Sequence, residues 1–181
     1  MTPSSPASEP ASGGRHLVLV GMMGAGKTSV GRRVARRLGW ELLDSDDQVE
    51  ARTGRTVREI FESDGEAAFR VLEAEALAAA LDRPEPVVVA AAGGVVLNPD
   101  NRRRLRQAGT VVWLHADPAV LAGRVGSSDH RPLLGDDPAG VLARMEEERA
   151  ALYREVSDHV LDVGTQSPDE VAETVLALVH R

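Results

Sequence analysis

The segment 21–28, GMMGAGKT, constrains this chain more than any other feature of its sequence. It matches the pattern G-x-x-x-x-G-K-[ST] and contains Lys27, the only lysine, whereas the other 20 of the 21 basic residues are arginine. Arginine supplies the same charge, but its broad planar group does not fit where a compact ammonium must reach between two phosphates. The apolar run HLVLV before the segment predicts a buried strand, and the amphipathic stretch 29–38 after it predicts a helix. Strand, glycine turn and helix form the context of a phosphate-binding loop; the alternative is a glycine-rich turn without a ligand.

In such a loop, backbone N–H groups and the positive end of the helix hold the phosphates of a nucleotide. Lys27 is expected to reach the β and γ phosphates, and the Thr28 hydroxyl is expected to bind Mg²⁺. The residues predicted to contact ATP here are Gly24, Ala25, Gly26, Lys27, Thr28 and Ser29.

Length and composition indicate one soluble globular domain, since the chain has 181 residues, of which 43% are hydrophobic and 27% charged. A net charge of −7 argues against nucleic acid as the main partner, and the basic run 102–106 is most simply the solvated face of a helix. No apolar stretch approaches the roughly 18 residues of a membrane span. Residues 1–14 are rich in Pro, Ser, Ala and Gly and predict a disordered tail, not a signal peptide. We therefore expect a cytoplasmic monomer with one domain over residues 15–181.

The chain alternates strand-like and helical patterns, which predicts an α/β fold with a parallel sheet covered by helices on both faces. The predicted strands are 17–20, 41–43, 87–91, 110–114 and 159–163, and the predicted helices are 27–38, 99–107, 118–125, 139–153 and 168–179. Two segments interrupt this alternation. Residues 46–82 are too long for one crossover helix and predict a helical insertion that binds an acceptor. Residues 126–138 are rich in Gly, Ser, Asp and Pro and predict a mobile lid.

Two carboxylates follow the second predicted strand, at Asp44 and Asp46. Residues two apart on an extended segment face the same side, so both side chains are expected to point into the cleft beyond the strand ends. One carboxylate could serve a magnesium ion while the other accepts the proton of an acceptor hydroxyl. The alternative is a helix N-cap, a role that Asp47 could serve instead.

Further candidate residues lie along the rest of the chain. Arg70 and Glu73 are three apart on a predicted helix, where the alternative to a binding role is an exposed ion pair. Gly93 and Gly94 end the third strand, where a ligand could approach the backbone closely or the chain could simply turn. Two arginines complete the set, Arg131 in the predicted lid and Arg154 near the end of the helix 139–153; either alone would be an ordinary surface residue.

Taken together, these motifs resemble the shikimate kinase family from about residue 15 to the C-terminus. The motifs that carry the resemblance are, in order, the phosphate loop, DSD at 44–46, FRVLE at 69–73, the glycine turn, RPLL at 131–134 and LYR at 152–154. The family implies a P-loop NTPase three-layer sandwich, with five parallel strands in the order 2-3-1-4-5. It also implies phosphorylation of the shikimate 3-hydroxyl by ATP with Mg²⁺, in aromatic amino-acid biosynthesis. Shikimate and ATP would then be the small-molecule partners of a single kinase domain.

The resemblance also implies a role for each matched position. Asp46 would bind the shikimate hydroxyls and Asp44 would support Mg²⁺. The Arg70, Gly93 and Arg154 positions would hold shikimate, with the two arginines on its carboxylate. The positions implied to contact ATP are Arg131 at the phosphates, and Arg124 and Gln166 near the adenine. The family usually has a third glycine where this chain has Ala92, which adds a methyl group beside the acceptor pocket.

The interpretation from the residues alone is an acceptor that carries both a planar anion and a hydroxyl, which describes a small hydroxylated carboxylate. Asp46, Lys27 and Arg131 are then the expected catalytic residues. Two alternatives stay open at this stage. One is a related kinase acting on gluconate or a nucleoside monophosphate, although the insertion offers only Phe61 and Phe69 for base stacking. The other is a nucleotide-binding module without catalysis, which would not need Asp46, Arg70 and Arg154 together.

Overall fold

A computed structural model describes residues 15–125 and 134–179, and it places five parallel strands in one sheet of order β2-β3-β1-β4-β5. The strands are β1 (His16–Val20), β2 (Glu41–Asp44), β3 (Val87–Ala90), β4 (Gly109–His115) and β5 (His159–Asp162). The predicted strand order is confirmed, and each predicted strand is present to within one residue at either end.

Helices connect these strands and pack on the sheet. They are α1 (Lys27–Leu38), α2 (Ser45–Thr53), α3 (Val57–Leu81), α4 (Pro99–Ala108), α5 (Pro118–Val125), α6 (Pro138–Val156) and α7 (Pro168–Val179), with a short 3₁₀ helix at Val95–Leu97. Helix α1 packs on α7, while α4 packs on α3 and α6. Predicted helix bounds are confirmed for α1, α5 and α7, and α6 extends three residues beyond its predicted end.

The continuously apolar runs of β1, β3 and β4 explain the parallel sheet. Every residue of β1 is buried, as is every residue of β3, because helices cover these central strands on both faces. Parallel pairing of β1 with β3 and with β4 brings the carboxyl ends of the three strands to one edge of the sheet. That edge is where ligands bind in open α/β sheets.

The predicted helical insertion consists of α2 and α3. A reciprocal capping box starts α3: Glu59 N–H donates to Thr56 Oγ1 at 3.2 Å, and Thr56 N–H donates to Glu59 Oε2 at 2.7 Å. The helix is interrupted at Gly65, whose φ is 83°. Helices α2 and α3 share a small apolar cluster separate from the main core, formed by Val49, Ile60, Phe69 and Ala76. The insertion is thereby packed on itself and carries Arg70 and Glu73 at a fixed position on α3.

Some predictions concern residues outside the described ranges. The tail at 1–14 and most of the predicted lid, including Arg131, are among them. At the C-terminal side of the predicted lid, Asp137 caps α6, where its Oδ1 accepts from Gly140 N–H at 3.0 Å. A search of the helices within 15–125 and 134–179 finds none with the length and apolar character to cross a membrane.

Candidate active site

The phosphate loop joins β1 to α1, and Gly26 is the N-cap residue of that helix. Gly26 has φ 90° and ψ 17°, a left-handed conformation that favours glycine. None of the described side chains caps this helix end. The backbone N–H groups of the first turn therefore face outward, and with the positive end of the helix they form a site suited to an anion.

Lys27 lies against the loop that it belongs to. Its Nζ donates to the carbonyl oxygen of Gly21 at 2.7 Å and to that of Met22 at 2.9 Å. These contacts hold the ammonium beside the loop, where Lys27 borders a cavity that is also lined by Asp44, Asp46 and Arg70. Ala25, by contrast, is buried at 2% exposure and does not line the cavity, so only its backbone could contact a nucleotide.

Asp44, at the end of the second strand, accepts two sets of hydrogen bonds. One of its oxygens, Oδ2, accepts from Thr28 Oγ1 at 2.5 Å, which joins the two residues predicted to serve a metal. The other, Oδ1, accepts from the N–H of Asp46 at 3.0 Å, so Asp44 is the N-cap of α2. Assigning the cap to Asp47 is therefore wrong. The expectation that Asp44 and Asp46 share an extended segment is also wrong, because the strand ends at Asp44 and helical geometry starts at Ser45.

Asp46 nevertheless reaches the same cavity as Asp44 and Lys27, from the first turn of α2. The surrounding protein removes part of its hydration and raises the pKa of Asp46. The carboxylate of Asp44 raises this pKa further, while the ammonium of Lys27 lowers it. A carboxylate with a raised pKa is a stronger base, which suits a group that accepts a hydroxyl proton.

Arg70, which is half-buried, pairs with the buried Glu73 on α3, so this is not the exposed pair considered as an alternative. Arg70 Nη1 donates to Glu73 Oε1 at 2.8 Å, and Nη2 donates to Glu66 Oε1 at 3.0 Å. Glu73 is 1% exposed, and burial raises its pKa to about 6 although the Arg70 guanidinium opposes that rise. Arg70 lines the cavity, and its buried Nε has no hydrogen-bond partner among residues 15–125 and 134–179.

Arg154 lies outside this cavity, which contradicts its predicted place beside Arg70. It is exposed near the end of α6, with its guanidinium carbon 5.7 Å from the centre of the Trp113 ring. Arg149, five residues earlier on the same helix, lines the cavity instead and is 5% exposed. Its Nε, like that of Arg70, is buried without a hydrogen-bond partner in the described part of the chain. The sequence interpretation did not identify Arg149 as a cavity residue.

The turn after β3 presents its backbone to the cavity and is connected to α6. Gly93 and Ala92 line the cavity, and the φ of Ala92 is not positive, so its methyl group causes no backbone strain. The fully buried Tyr153 donates its hydroxyl to the Gly93 carbonyl oxygen at 2.6 Å. Gly94, predicted to contact the acceptor, lies outside the main cavity, although it borders a second one with Arg70.

Arg124 connects the phosphate loop to the loop after β5. Its Nη2 donates to the carbonyl oxygens of Val163 and Gly164, at 2.6 and 3.0 Å, and Nη1 donates to that of Gly24 at 3.5 Å. Gln166 is exposed on the loop after β5 and does not line the cavity. Arg124 and Gln166, the two residues predicted to lie near the adenine, are thus connected through the loop after β5, which contains Gln166 and accepts hydrogen bonds from Arg124.

The main cavity, of about 600 Å³, collects most of the predicted residues at the carboxyl edge of the sheet. The predicted residues that line it are Gly24, Gly26, Lys27, Thr28, Ser29, Asp44, Asp46, Arg70, Gly93 and Arg124. The cavity is therefore lined by a phosphate loop and by the guanidinium groups of Arg70 and Arg149, together with the carboxylate of Asp46. A parallel sheet of order 2-3-1-4-5 with this loop and a helical insertion defines a phosphate-loop kinase.

Comparison with known proteins narrows the class to one family. A family model described as Shikimate kinase matches residues 23–180. The Shikimate kinase of Paramagnetospirillum magneticum is 46% identical over 167 residues, which cover 92% of this chain and 83% of that protein. The chain belongs to the shikimate kinase family.

Solved structures agree with this assignment. The shikimate kinase from Acinetobacter baumannii in complex with shikimate has a TM-score of 0.88 and 36% sequence identity, covering 92% of this chain and 93% of that chain. A gluconokinase from Sinorhizobium meliloti has a TM-score of 0.62 at 22% identity, covering 93% of both chains. The second similarity is one of fold alone.

Proposed function

We propose that this protein transfers the γ-phosphoryl group of ATP to the 3-hydroxyl of shikimate, which gives 3-phosphoshikimate and ADP. In the cell this reaction would serve the chorismate branch of aromatic amino-acid biosynthesis. The observation that carries the proposal is one cavity that is lined by a phosphate loop and by Arg70, Arg149 and Asp46. Membership of the family and the similarity to a shikimate kinase solved with shikimate support it.

The acceptor end fits a small carboxylate that also carries hydroxyl groups. Arg70 and Arg149 both border the cavity, and the buried Nε–H of each has no hydrogen-bond partner in the described ranges, although Arg149 Nε lies 3.7 Å from Glu148 Oε2. A guanidinium binds a carboxylate with paired N–H donors, so two of them suit the single planar anion of shikimate. We therefore assign the carboxylate contact to Arg149 in place of Arg154. Asp46 would orient the 3-hydroxyl and accept its proton as the phosphoryl group is transferred.

The nucleotide end fits ATP with a magnesium ion. The hydroxyl of Thr28 and the carboxylate of Asp44 are in contact, and both are oxygen donors of the kind that Mg²⁺ prefers. When bound there, Mg²⁺ would offset the negative charge of the ATP phosphates. Lys27 would leave the carbonyl groups of Gly21 and Met22 to reach those phosphates, and Arg131 would add a second cation. Arg124 and Gln166 would lie beside the adenine, and the kinase domain would span 15–181 in a cytoplasmic monomer.

Little covalent chemistry is required of the protein in this reaction. Phosphoryl transfer depends on alignment of the attacking hydroxyl and on stabilisation of charge, which fixed cations and backbone N–H groups provide. Arg70, Arg149 and Asp46 would hold the acceptor while the loop holds the phosphates. Because both sets of residues line one cavity, the two substrates can meet without a further domain.

An ADP-release assay over a panel of acceptors tests the proposal. The panel would contain shikimate, gluconate and nucleoside monophosphates, each with ATP and Mg²⁺. Shikimate should give by far the highest kcat/KM, with little ADP release when no acceptor is present. Higher kcat/KM with gluconate or a nucleoside monophosphate would contradict the acceptor assignment. Nucleotide binding without turnover on any acceptor would favour the non-catalytic alternative.

A further inference from the structure

We propose that Gly94 is a positioning residue for the acceptor, because the space left by its missing side chain holds the guanidinium of Arg70. The inference rests on the proposed function in that Arg70 is taken to bind the acceptor carboxylate. Gly94 itself would not touch that acceptor, since it lies outside the lining of the main cavity. Its effect on binding would pass entirely through Arg70.

The guanidinium occupies the space that a Cβ atom on residue 94 would need. An ideal Cβ there would lie 1.9 Å from Arg70 Nη1, 2.3 Å from Cζ and 2.7 Å from Nη2. All three distances are below the contact limit for a carbon atom, so the flat group lies directly over the Gly94 Cα. No side chain larger than hydrogen leaves room for Arg70 in this position.

Backbone conformation does not explain the glycine. Gly94 has φ −86° and ψ −6°, and this negative φ lies in a right-handed region that is open to L-residues other than glycine. Gly26 differs, since its positive φ gives a conformational reason for glycine. At position 94 only the space above the Cα requires glycine, and Arg70 fills that space.

The position of Arg70 depends on this support because open space lies on two sides of it. Arg70 and Glu73 border the main cavity and also a second cavity of about 630 Å³, which Gly94 and Ala67 line as well. Charged partners hold the guanidinium from within α3, through Glu73 at 2.8 Å and Glu66 at 3.0 Å. The backbone at Gly94 is a contact from outside that helix, and it limits how far the group extends. A methyl group there would move the end of a flexible side chain rather than the fold.

Kinetics of Gly94→Ala test the proposal on the intact enzyme. If the methyl group displaces Arg70 from the acceptor carboxylate, the KM for shikimate should rise toward that of Arg70→Ala, by roughly 10- to 150-fold. The KM for ATP should stay within about twofold, because the phosphate loop is not involved. Gly123→Ala is the matched control, since nothing lies within 4 Å of a Cβ at that position, and it should behave as wild type. An unchanged shikimate KM in Gly94→Ala would overturn the proposal.

A double-mutant cycle between residues 70 and 94 separates positioning from a general structural effect. Once Arg70→Ala has removed the guanidinium, the added methyl has room, so Gly94→Ala should have no further effect on shikimate KM or on thermal stability. The stability cycle needs no substrate, so it tests the contact even if shikimate is not the acceptor. If Gly94→Ala alone folds poorly, the double variant should regain the thermal stability of Arg70→Ala. An equal loss in both backgrounds would show that residue 94 does not act through Arg70.

Discussion

Arg149→Ala should weaken acceptor binding far more than Arg154→Ala, although the two residues are five positions apart on one helix. Arg149 is 5% exposed and borders the cavity, whereas Arg154 is exposed and contacts the Trp113 ring. Losing a charge-assisted hydrogen-bond partner costs about 1.5–3 kcal/mol, which corresponds to roughly 10- to 150-fold in affinity. An exposed cation–π contact contributes only about 0.5–1 kcal/mol, and it would affect stability rather than binding.

Calorimetric titration with shikimate in the absence of ATP measures this difference directly, because turnover cannot contribute. Arg154→Ala serves as the matched control, with the same substitution on the same helix. Combining Arg149→Ala with Arg70→Ala should cost less than the sum of the single losses, since both arginines would share one carboxylate. Equal losses from Arg149→Ala and Arg154→Ala, or a loss only from the latter, would refute the assignment made from the geometry.

Three further substitutions test the remaining groups of the site. Lys27→Met should remove most turnover while thermal unfolding stays near that of wild type, because it deletes the cation expected at the β and γ phosphates. Asp46→Asn should lower kcat by about 10²–10⁴-fold, with ATP affinity nearly unchanged, since general-base contributions are of this size. Glu73→Gln should remove a pH dependence of stability. With a folded-state pKa of about 6 against an ordinary 4.5, Glu73 favours folding most below pH 4.5, and this contribution is lost as the pH rises through 6. The loss amounts to about 2 kcal/mol. To measure it, the unfolding free energies of wild type and Glu73→Gln are compared at each pH, and the difference between them should shrink by this amount as the pH rises.

Each of these expectations has an outcome that would contradict it. A folded Lys27→Met protein with near-normal turnover would exclude the phosphate-loop role of that lysine. Collapse of nucleotide affinity in Asp46→Asn, with high residual turnover, would move Asp46 to the metal site. Parallel stability curves for wild type and Glu73→Gln between pH 4 and pH 7 would show that Glu73 does not titrate in this range.

The sheet and the phosphate loop could be predicted because their signals are local and periodic. Apolar runs such as the one at 16–20 allow few structures other than a buried strand, and the loop motif fixes a strand before it and a helix after it. Strand order came from the family resemblance, since periodicity alone does not determine which strands are neighbours. The structure has the same order.

The acceptor end was harder to predict because it depends on which side of a helix a residue faces. Arg149 lies on the face of α6 that buries Leu142, Met145 and Tyr153, at spacings of three and four residues. An arginine within such an apolar stripe is the signal that could have identified it, whereas Arg154 lies off that stripe. Asp44 was difficult for a related reason, since a carboxylate at the end of a strand suits a ligand and a helix N-cap equally well. The structure shows the cap and brings the second oxygen to Thr28.

Gly94 shows a limit of reading glycines from sequence. A glycine after a strand suggests a close approach of ligand to backbone, but here the group that approaches is the side chain of Arg70. Which atom occupies the space above a glycine depends on the packing of α3 against the turn after β3. Arg70 and Gly94 are 24 residues apart in the sequence, and no local pattern relates them.

The position of the transferred phosphate is the most direct test of whether this protein phosphorylates the 3-hydroxyl of shikimate. The purified protein would be incubated with ATP, Mg²⁺ and shikimate, and the product examined by mass spectrometry and by phosphorus–proton coupling in NMR spectra. We expect shikimate bearing one phosphate, coupled to the proton on carbon 3, with one ADP released for each product molecule. Phosphate on another oxygen, or ADP release without any phosphorylated shikimate, would contradict it.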